Sequence, residues 1–220
     1  MAVKKKIYFF SEQKTDGNKS MSDLLGGKGA NIAEMCRLGL PVPPGFTVST
    51  EVCGEFLRKK SLGTSLKKDI QKNIQSLEKI TNKSFGGENP LLLSVRSGAK
   101  FSMPGMMETV LNVGLTSKTV KALIKASKNE RFVYDSYRRL IMMYADVVME
   151  KGLGLGDRPG IREKMEALLE KMKKKNKHSS DSDVSAAEWK SLIKKYLSLI
   201  KKNFGVPFPD DHNEQLRGAI

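Results

Sequence analysis

The spacing of apolar residues changes near residue 110, and this change constrains the fold more than any other feature of the chain. Upstream, short apolar runs alternate with glycine, proline and short helical patterns. Downstream, apolar residues recur every three or four positions over long stretches, as in helices that bury one face. The sequence therefore predicts an α+β region over 1–110, an α-helical region over 111–205 and the start of a further segment over 206–220. The upstream strand candidates are Ile7–Phe10, Phe46–Ser49 and Leu91–Val95.

Helix ends are marked by capping residues. A short helix over Ala30–Leu38 is predicted to end at Gly39, and a longer one is predicted to begin at Ser65. The longest amphipathic pattern covers Asn129–Glu150, and Ser185 with Glu188 forms a capping box before the next. The apolar stripes of these last two helices are Val133, Tyr137, Leu140, Ile141, Tyr144, Val147 and Val148, and then Trp189, Leu192, Ile193, Tyr196 and Ile200.

The charge of the chain is strongly positive, with 39 lysine and arginine residues against 24 acidic ones and a net charge of +15. The excess is spread along the chain, which is weak evidence for nucleic-acid binding. Its one dense cluster has no interleaved aromatic residues for base stacking, so we interpret it as a solvated helix end. A non-catalytic basic adaptor that binds RNA or an acidic surface through the helical half stays open as an alternative. The cluster comprises Lys171, Lys173, Lys174, Lys175 and Lys177.

The apolar runs are too short for a membrane span or a signal peptide. Leu140–Met143 is interrupted by charge long before the roughly 18 residues that a bilayer requires. Ile7–Phe10 is shorter than a signal-peptide core. We therefore expect a cytoplasmic protein without a membrane segment, in which Cys36 and Cys53 are reduced, buried thiols.

Two glycine-containing segments carry one prominent cation each. Leu25–Ala30 (LGGKGA) precedes a predicted helix and contains Lys28, while Arg96 directly follows a predicted buried strand. Glycines let backbone N–H groups approach an anion, and a helix N-terminus and a lysine both attract it. The segment is not a Walker P-loop, because Lys28 is followed by glycine rather than serine or threonine. Two other interpretations remain: an ordinary helix-entry turn with an exposed lysine, and a structural Arg96 paired with an acid such as Glu108.

Longer stretches resemble the pyruvate phosphate dikinase family. They are GGKGANIAEM (26–35), LPVPPGFTVST (40–50), LSVRSGAKFSMPGMMETVLNVGL (93–115) and RFVYDSYRRLIMMYADVVME (131–150). The related phosphoenolpyruvate synthases share the GGKG and VRS elements but not SMPGMM, which favours the dikinase. Only the lysine-rich stretch over 151–202 is generic. The chain thus resembles the dikinase over most of its length.

The resemblance implies the first subdomain of an ATP-grasp fold, with ATP between two subdomains. Lys28 and Arg96 are then the catalytic cations that bind the phosphates, and a loop over 102–105 covers them. Lys100 stands where the family pattern leads us to expect arginine, which places bidentate phosphate recognition there in doubt. The implied ATP-binding residues are Gly27, Lys28, Arg96, Ser97, Lys100, Ser102, Met103, Gly105 and Thr109.

The implied reaction needs parts that this sequence does not contain. In the family the β-phosphoryl group of ATP passes to a histidine, inorganic phosphate takes the γ-phosphoryl group, and pyruvate becomes phosphoenolpyruvate. His178 and His212 do not fit the setting of the phosphorylated histidine. The histidine domain, the pyruvate site and the Mg²⁺ ligands are expected beyond Ile220, in a full-length enzyme that is a homodimer. We therefore expect an N-terminal fragment, cut short within a helix after Asp210, that binds ATP weakly and has no activity by itself.

Overall fold

The computed structural model describes residues 5–59, 61–98, 108–152 and 160–220. They form two compact units. The first contains the described residues up to Lys83 together with Ser97 and Gly98, and the second contains Ser84–Arg96 and the described residues from Glu108 onward. The strand that ends at Arg96 thus belongs to the second unit, whereas the sequence grouped it with the first. The domain boundary at residue 110 stays a prediction.

The described residues of the first unit form a two-stranded sheet and three α-helices. Strand β1 (Ile7–Phe10) pairs antiparallel with β2 (Gly45–Val48), so that Ile7 lies opposite Val48. A small core forms where Tyr8 packs with Leu25 and Ala30 of the first helix. The three helices are α1 (Ser22–Arg37), α2 (Thr50–Lys59) and α3 (Thr64–Thr81).

Helix α1 is longer than predicted and is broken at Gly26. It starts at Ser22 rather than Ala30, after a 3₁₀ turn over Lys19–Met21. Gly26 has φ 69° and ψ 164°, a left-handed conformation that a side chain disfavours and that divides α1 into two pieces. The prediction that the glycine motif is a loop ahead of the helix is therefore wrong: the motif is the break within the helix.

In its described residues, the second unit has one strand pair and five α-helices. Strand β3 (Leu93–Arg96) pairs antiparallel with β4 (Thr109–Val113), a strand that the sequence did not predict. The helices are α4 (Ser117–Ser127), α5 (Glu130–Tyr144), α6 (Ile161–Asn176), α7 (Ala186–Phe204) and α8 (His212–Ala219). Helix α5 continues as a π-helix over Ala145–Lys151, and a 3₁₀ turn over Asp181–Asp183 precedes α7.

The core of the second unit lies between α5 and α7. The predicted stripe of α7 is confirmed there, because Trp189 and Tyr196 are fully buried. The α5 stripe is confirmed from Val133 to Tyr144, but Val147 and Val148 are only partly buried, because the π-helix changes the helical period and turns Met149 and Glu150 inward instead. The Ser185 capping box is confirmed too, with Glu188 accepting hydrogen bonds from the Ser185 backbone and hydroxyl. The mixture of helices and small sheets agrees with the predicted α+β class.

The two cysteines differ in burial. Cys36 is buried as predicted, but Cys53 is exposed, since the inward position of that turn of α2 is taken by Val52. Among the helices in the described ranges, none has the length and apolar content needed to cross a bilayer.

Candidate functional site

The glycine motif in α1 presents a lysine at the start of a helical segment. Gly26 is non-helical, so the second piece of α1 begins at Gly27 and places Lys28 in its first turn. The first N–H groups of a helical segment lack partners within the helix and attract anions. The backbone and the ammonium group of Lys28 therefore offer positive charge in the same turn.

Gly29 holds this turn tightly against β2. A β-carbon at Gly29 would lie 2.8 Å from Cγ2 and 3.1 Å from Oγ1 of Thr47, and 3.2 Å from Cβ of Leu25. Only glycine leaves room for that approach without displacement of a neighbour. Thr47 thus fixes the position of the turn that carries Lys28, a role that the sequence did not reveal, because a threonine in a strand is an ordinary strand residue.

Lys28 also joins the two glycine-containing segments of the sequence. Its ammonium nitrogen donates a hydrogen bond to the carbonyl oxygen of Ser97 at 3.4 Å. Gly98 lies beside the same helix, since a β-carbon there would be 3.9 Å from the carbonyl oxygen of Leu25. Within the first unit, Lys28, Gly27 and Ser97 of the predicted site are therefore neighbours.

Arg96 and Thr109 are brought together in the second unit. They are opposite each other in the β3–β4 pair. The strand is only partly buried and Arg96 is exposed, so the premise of a guanidinium forced into a buried strand is wrong. Its exposed guanidinium makes no ion pair with any other residue in the described ranges. Arg96 is therefore placed as a solvent-facing cation next to a hydroxyl group.

Glu108, the acid considered as a structural partner of Arg96, is bound by another cation. Its carboxylate accepts a hydrogen bond from the ammonium group of Lys151 at 2.6 Å. This bond, with the nearby carboxylate of Asp146, raises the pKa of Lys151 despite partial burial. Lys151 therefore stays protonated and bound to Glu108.

Four predicted site residues, Lys100, Ser102, Met103 and Gly105, lie outside the described residues. Because Lys28 and Arg96 belong to different units, their convergence on one triphosphate stays a prediction. In the ranges that the structure describes, no three His, Cys, Asp or Glu side chains are grouped to hold a metal ion.

The two histidines have structural partners. Nε2 of His178 lies 2.8 Å from a carboxylate oxygen of Glu188, at the start of α7. His212 packs edge-on against Phe85, with ring centroids 5.0 Å apart, and covers Gly86. Both contacts fix the positions of these imidazoles.

A buried acid missed by the sequence reasoning supports the start of α6. Glu150, in the π-helix, accepts a hydrogen bond from the backbone N–H of Ile161 at 2.8 Å. The residue before α6 is Gly160, which has no side chain to perform this capping. In the sequence, the lack of a capping side chain at Gly160 indicates that another residue caps α6. It does not indicate that this residue is Glu150.

Comparison with known proteins matches the region that contains the Lys28 turn. Residues 22–84 match the family model described as pyruvate phosphate dikinase, AMP/ATP-binding domain. The pyruvate, phosphate dikinase of Rhizobium meliloti is 47% identical over 217 residues, which cover 97% of this chain and 23% of the relative. The resemblance to pyruvate phosphate dikinase is confirmed.

Other dikinases show the same extent of similarity. The pyruvate, phosphate dikinase of Clostridium symbiosum is 43% identical over 97% of this chain and 23% of its own length. The chloroplastic pyruvate, phosphate dikinase 1 of Arabidopsis thaliana is 44% identical over 99% of this chain and 22% of its own length. This chain thus spans less than a quarter of the length of these dikinases, and nearly all of it takes part in the similarity, including the Lys28 and Arg96 segments.

Proposed function

We propose that this chain is the N-terminal nucleotide-binding part of a pyruvate phosphate dikinase and that it binds the phosphates of ATP. The observation that carries the proposal is the hydrogen bond between Lys28 and the carbonyl oxygen of Ser97. It joins the GGKG turn to the residue that follows Arg96 in the chain. The match of residues 22–84 to an AMP/ATP-binding domain supports the same assignment. The first subdomain of an ATP-grasp fold remains part of this proposal.

The proposed site acts by electrostatic stabilisation. Phosphoryl transfer places negative charge on oxygens that fixed cations and backbone N–H groups stabilise without covalent participation. Lys28 supplies a point charge beside a helix start, and Arg96 supplies a planar fork suited to two phosphate oxygens. Gly27, Ser97 and Thr109 supply neighbouring donors, and 102–105 is proposed to cover the phosphates.

In the proposed whole enzyme, the β-phosphoryl group passes from ATP to a histidine elsewhere in the chain, and inorganic phosphate accepts the γ-phosphoryl group. The phosphohistidine then phosphorylates pyruvate, so that the products are phosphoenolpyruvate, AMP and pyrophosphate. Mg²⁺ would neutralise phosphate charge and is assigned to ligands outside this chain. The role of the described residues is to hold and orient the triphosphate, and the chain alone is expected to bind ATP weakly without turnover.

The proposal is tested by Arg96→Ala in a complete enzyme that carries this sequence. If Arg96 bonds to phosphate, its loss should cost about 1.5–3 kcal/mol of transition-state stabilisation. The measurement is the rate of histidine phosphorylation from labelled ATP. Arg37→Ala, which removes an exposed arginine at the end of α1, is the matched control and should leave the rate unchanged. An unchanged rate for Arg96→Ala would refute the assignment.

A phosphoenolpyruvate synthase-like reaction is the alternative. It uses water rather than inorganic phosphate as the γ-phosphoryl acceptor. With labelled inorganic phosphate, the dikinase reaction should place label in pyrophosphate, and the synthase reaction should not. The names of the relatives favour the dikinase.

A further inference from the structure

The outer face of α7 is rich in lysine side chains. After Glu188, the exposed positions of this helix are occupied only by lysine and serine, while Trp189, Leu192, Ile193, Tyr196 and Ile200 face the core. We call these exposed positions the lysine strip. They are Lys190, Ser191, Lys194, Lys195, Ser198, Lys201 and Lys202.

The lysines of the strip form two rows. At about 100° per residue, Lys190, Lys194 and Lys201 fall within about 40° of one another around the helix axis, and Lys195 and Lys202 form a second row. Ser191 and Ser198 lie between the rows. From Lys190 to Lys202 the strip is about 18 Å long, because an α-helix rises about 1.5 Å per residue. It thus presents hydroxyl groups flanked by ammonium groups.

No acid among the described residues pairs with a lysine of the strip. The only carboxylate on α7 is Glu188, which is bonded to Ser185, His178 and Asn176. None of the five strip lysines forms an ion pair within the ranges that the structure describes; Lys190 instead has its ammonium nitrogen 5.9 Å from the ring centroid of Tyr134. On α6, by contrast, lysines alternate with acids, as where Lys173 approaches Glu170. Within the described residues, the positive charge of the strip is therefore not balanced by a paired carboxylate.

We propose that the lysine strip binds an extended acidic segment of a partner protein. A chain segment of about six residues in extended conformation matches the length of the strip. Carboxylates can then alternate between the two rows of ammonium groups, and the serines can donate hydrogen bonds to them. This surface is separate in sequence from the residues assigned to ATP.

Other polyanions fit the strip less well. Sequence-specific recognition or base stacking on a nucleic acid would need arginine forks or aromatic side chains, and the strip contains neither. A membrane-binding helix needs an apolar face to insert, but the apolar face of α7 is buried in the core. An acidic peptide requires only closely spaced positive charge and hydrogen-bond donors.

The experiment measures binding of a fluorescein-labelled peptide of about six glutamates to the 220-residue chain by fluorescence anisotropy at low ionic strength. The test variant is Lys194→Glu/Lys195→Glu. The matched control is Lys174→Glu/Lys175→Glu, which reverses two adjacent exposed lysines near the end of α6 and changes the net charge equally. Circular dichroism melting of each variant confirms that it is folded.

We expect the strip variant to raise the Kd by about tenfold or more, and the control to change it by less than about twofold. Equal losses in both variants would overturn the proposal, because binding would then follow net charge alone. Tighter binding of an oligothymidylate of equal charge, or of phosphatidylserine vesicles, would also overturn it in favour of a nucleic acid or a lipid surface. Absence of peptide binding to the unmodified chain would overturn it as well.

Discussion

Gly29 of helix α1 lies so close to Thr47 of strand β2 that a single added carbon would collide with it. A β-carbon at Gly29 would be 2.8 Å from Thr47 Cγ2. This contact, rather than backbone conformation, makes glycine necessary at position 29. Because Lys28 is in the same turn, the contact also sets where the proposed phosphate-binding lysine is presented.

Gly29→Ala should therefore destabilise the chain although alanine is the better helix former. Overpacking costs about 1–3 kcal/mol, against about 0.5–1 kcal/mol gained in helix propensity. In a Thr47→Ala background the collision with Thr47 is removed, so the cost of Gly29→Ala should fall to less than half. Urea unfolding of the four combinations measures this coupling. The same cost in both backgrounds would show that Thr47 does not restrict position 29.

Two adjacent arginines on α5 share acidic partners but differ in burial. They should therefore contribute differently to the free energy of unfolding. Arg138 is 2% exposed, binds Asp135 and Asp181, and stacks 4.3 Å from the ring centroid of Trp189. Partial burial alone would raise the pKa of Asp181, but the charge of Arg138 and bonds from Lys173 and Arg138 lower it. Arg139 contacts the same two acids at 3.3 and 3.4 Å and is half exposed.

Arg138→Ala should lower the free energy of unfolding by about 2–3 kcal/mol, since it leaves Asp135 and Asp181 poorly compensated. Arg139→Ala should lower it by less than about 0.5 kcal/mol. Trp189 is the single tryptophan of the chain, so its fluorescence reports both unfolding and the loss of the stacked guanidinium. Equal costs for the two variants would contradict the role assigned to burial.

The Glu188 cap of α7 should give a defined acid dependence. Hydrogen bonds from the Ser185 hydroxyl and N–H, and then from His178, lower the pKa of Glu188 from 4.5 to about 2. A depressed folded-state pKa stabilises the protein above the unfolded value, and that contribution is lost as the pH falls towards the folded value. The stability advantage of the wild type over Glu188→Gln should thus be constant above pH 4.5 and shrink between pH 4.5 and about 2.

The measurement is the difference in free energy of unfolding between these two proteins across that pH range. Ala187→Gly is the control, because it weakens the same helical turn by about 0.5–1 kcal/mol without changing a titrating group. Its effect should be constant with pH. A difference between wild type and Glu188→Gln that does not decrease in acid would contradict the assigned bonds.

The helical stripes could be predicted because burial of a helix leaves a period of about 3.6 residues in the sequence. Trp189 and Tyr196 are therefore in the core of the second unit, as expected. The start of α7 could be predicted from its capping residues. The Ser185 side chain accepts a hydrogen bond from the backbone N–H of Glu188, and this local contact depends only on their spacing in the sequence.

Features that depend on tertiary contacts were not predictable in this way. The helix was predicted to start at Ala30, after the glycine motif, because a glycine pair usually marks a helix end and not an interruption within one. Arg96 was expected to follow a buried strand, but within the described residues β3 pairs with β4 alone and stays partly exposed. Glu150 caps α6 from the preceding π-helix, a contact that has no sequence spacing of its own.

Lys28 and its helical turn are proposed to bind the phosphates of a nucleotide. Titration of the ¹⁵N-labelled 220-residue chain with ATP, followed by NMR, tests this proposal most directly, since chemical shifts detect weak binding residue by residue. The largest shift changes should occur at Gly27, Lys28, Gly29 and Ser97, tripolyphosphate should compete for them, and Lys28→Met should abolish them. Saturable ATP binding that leaves these amides unchanged, or that Lys28→Met does not weaken, would contradict the proposal.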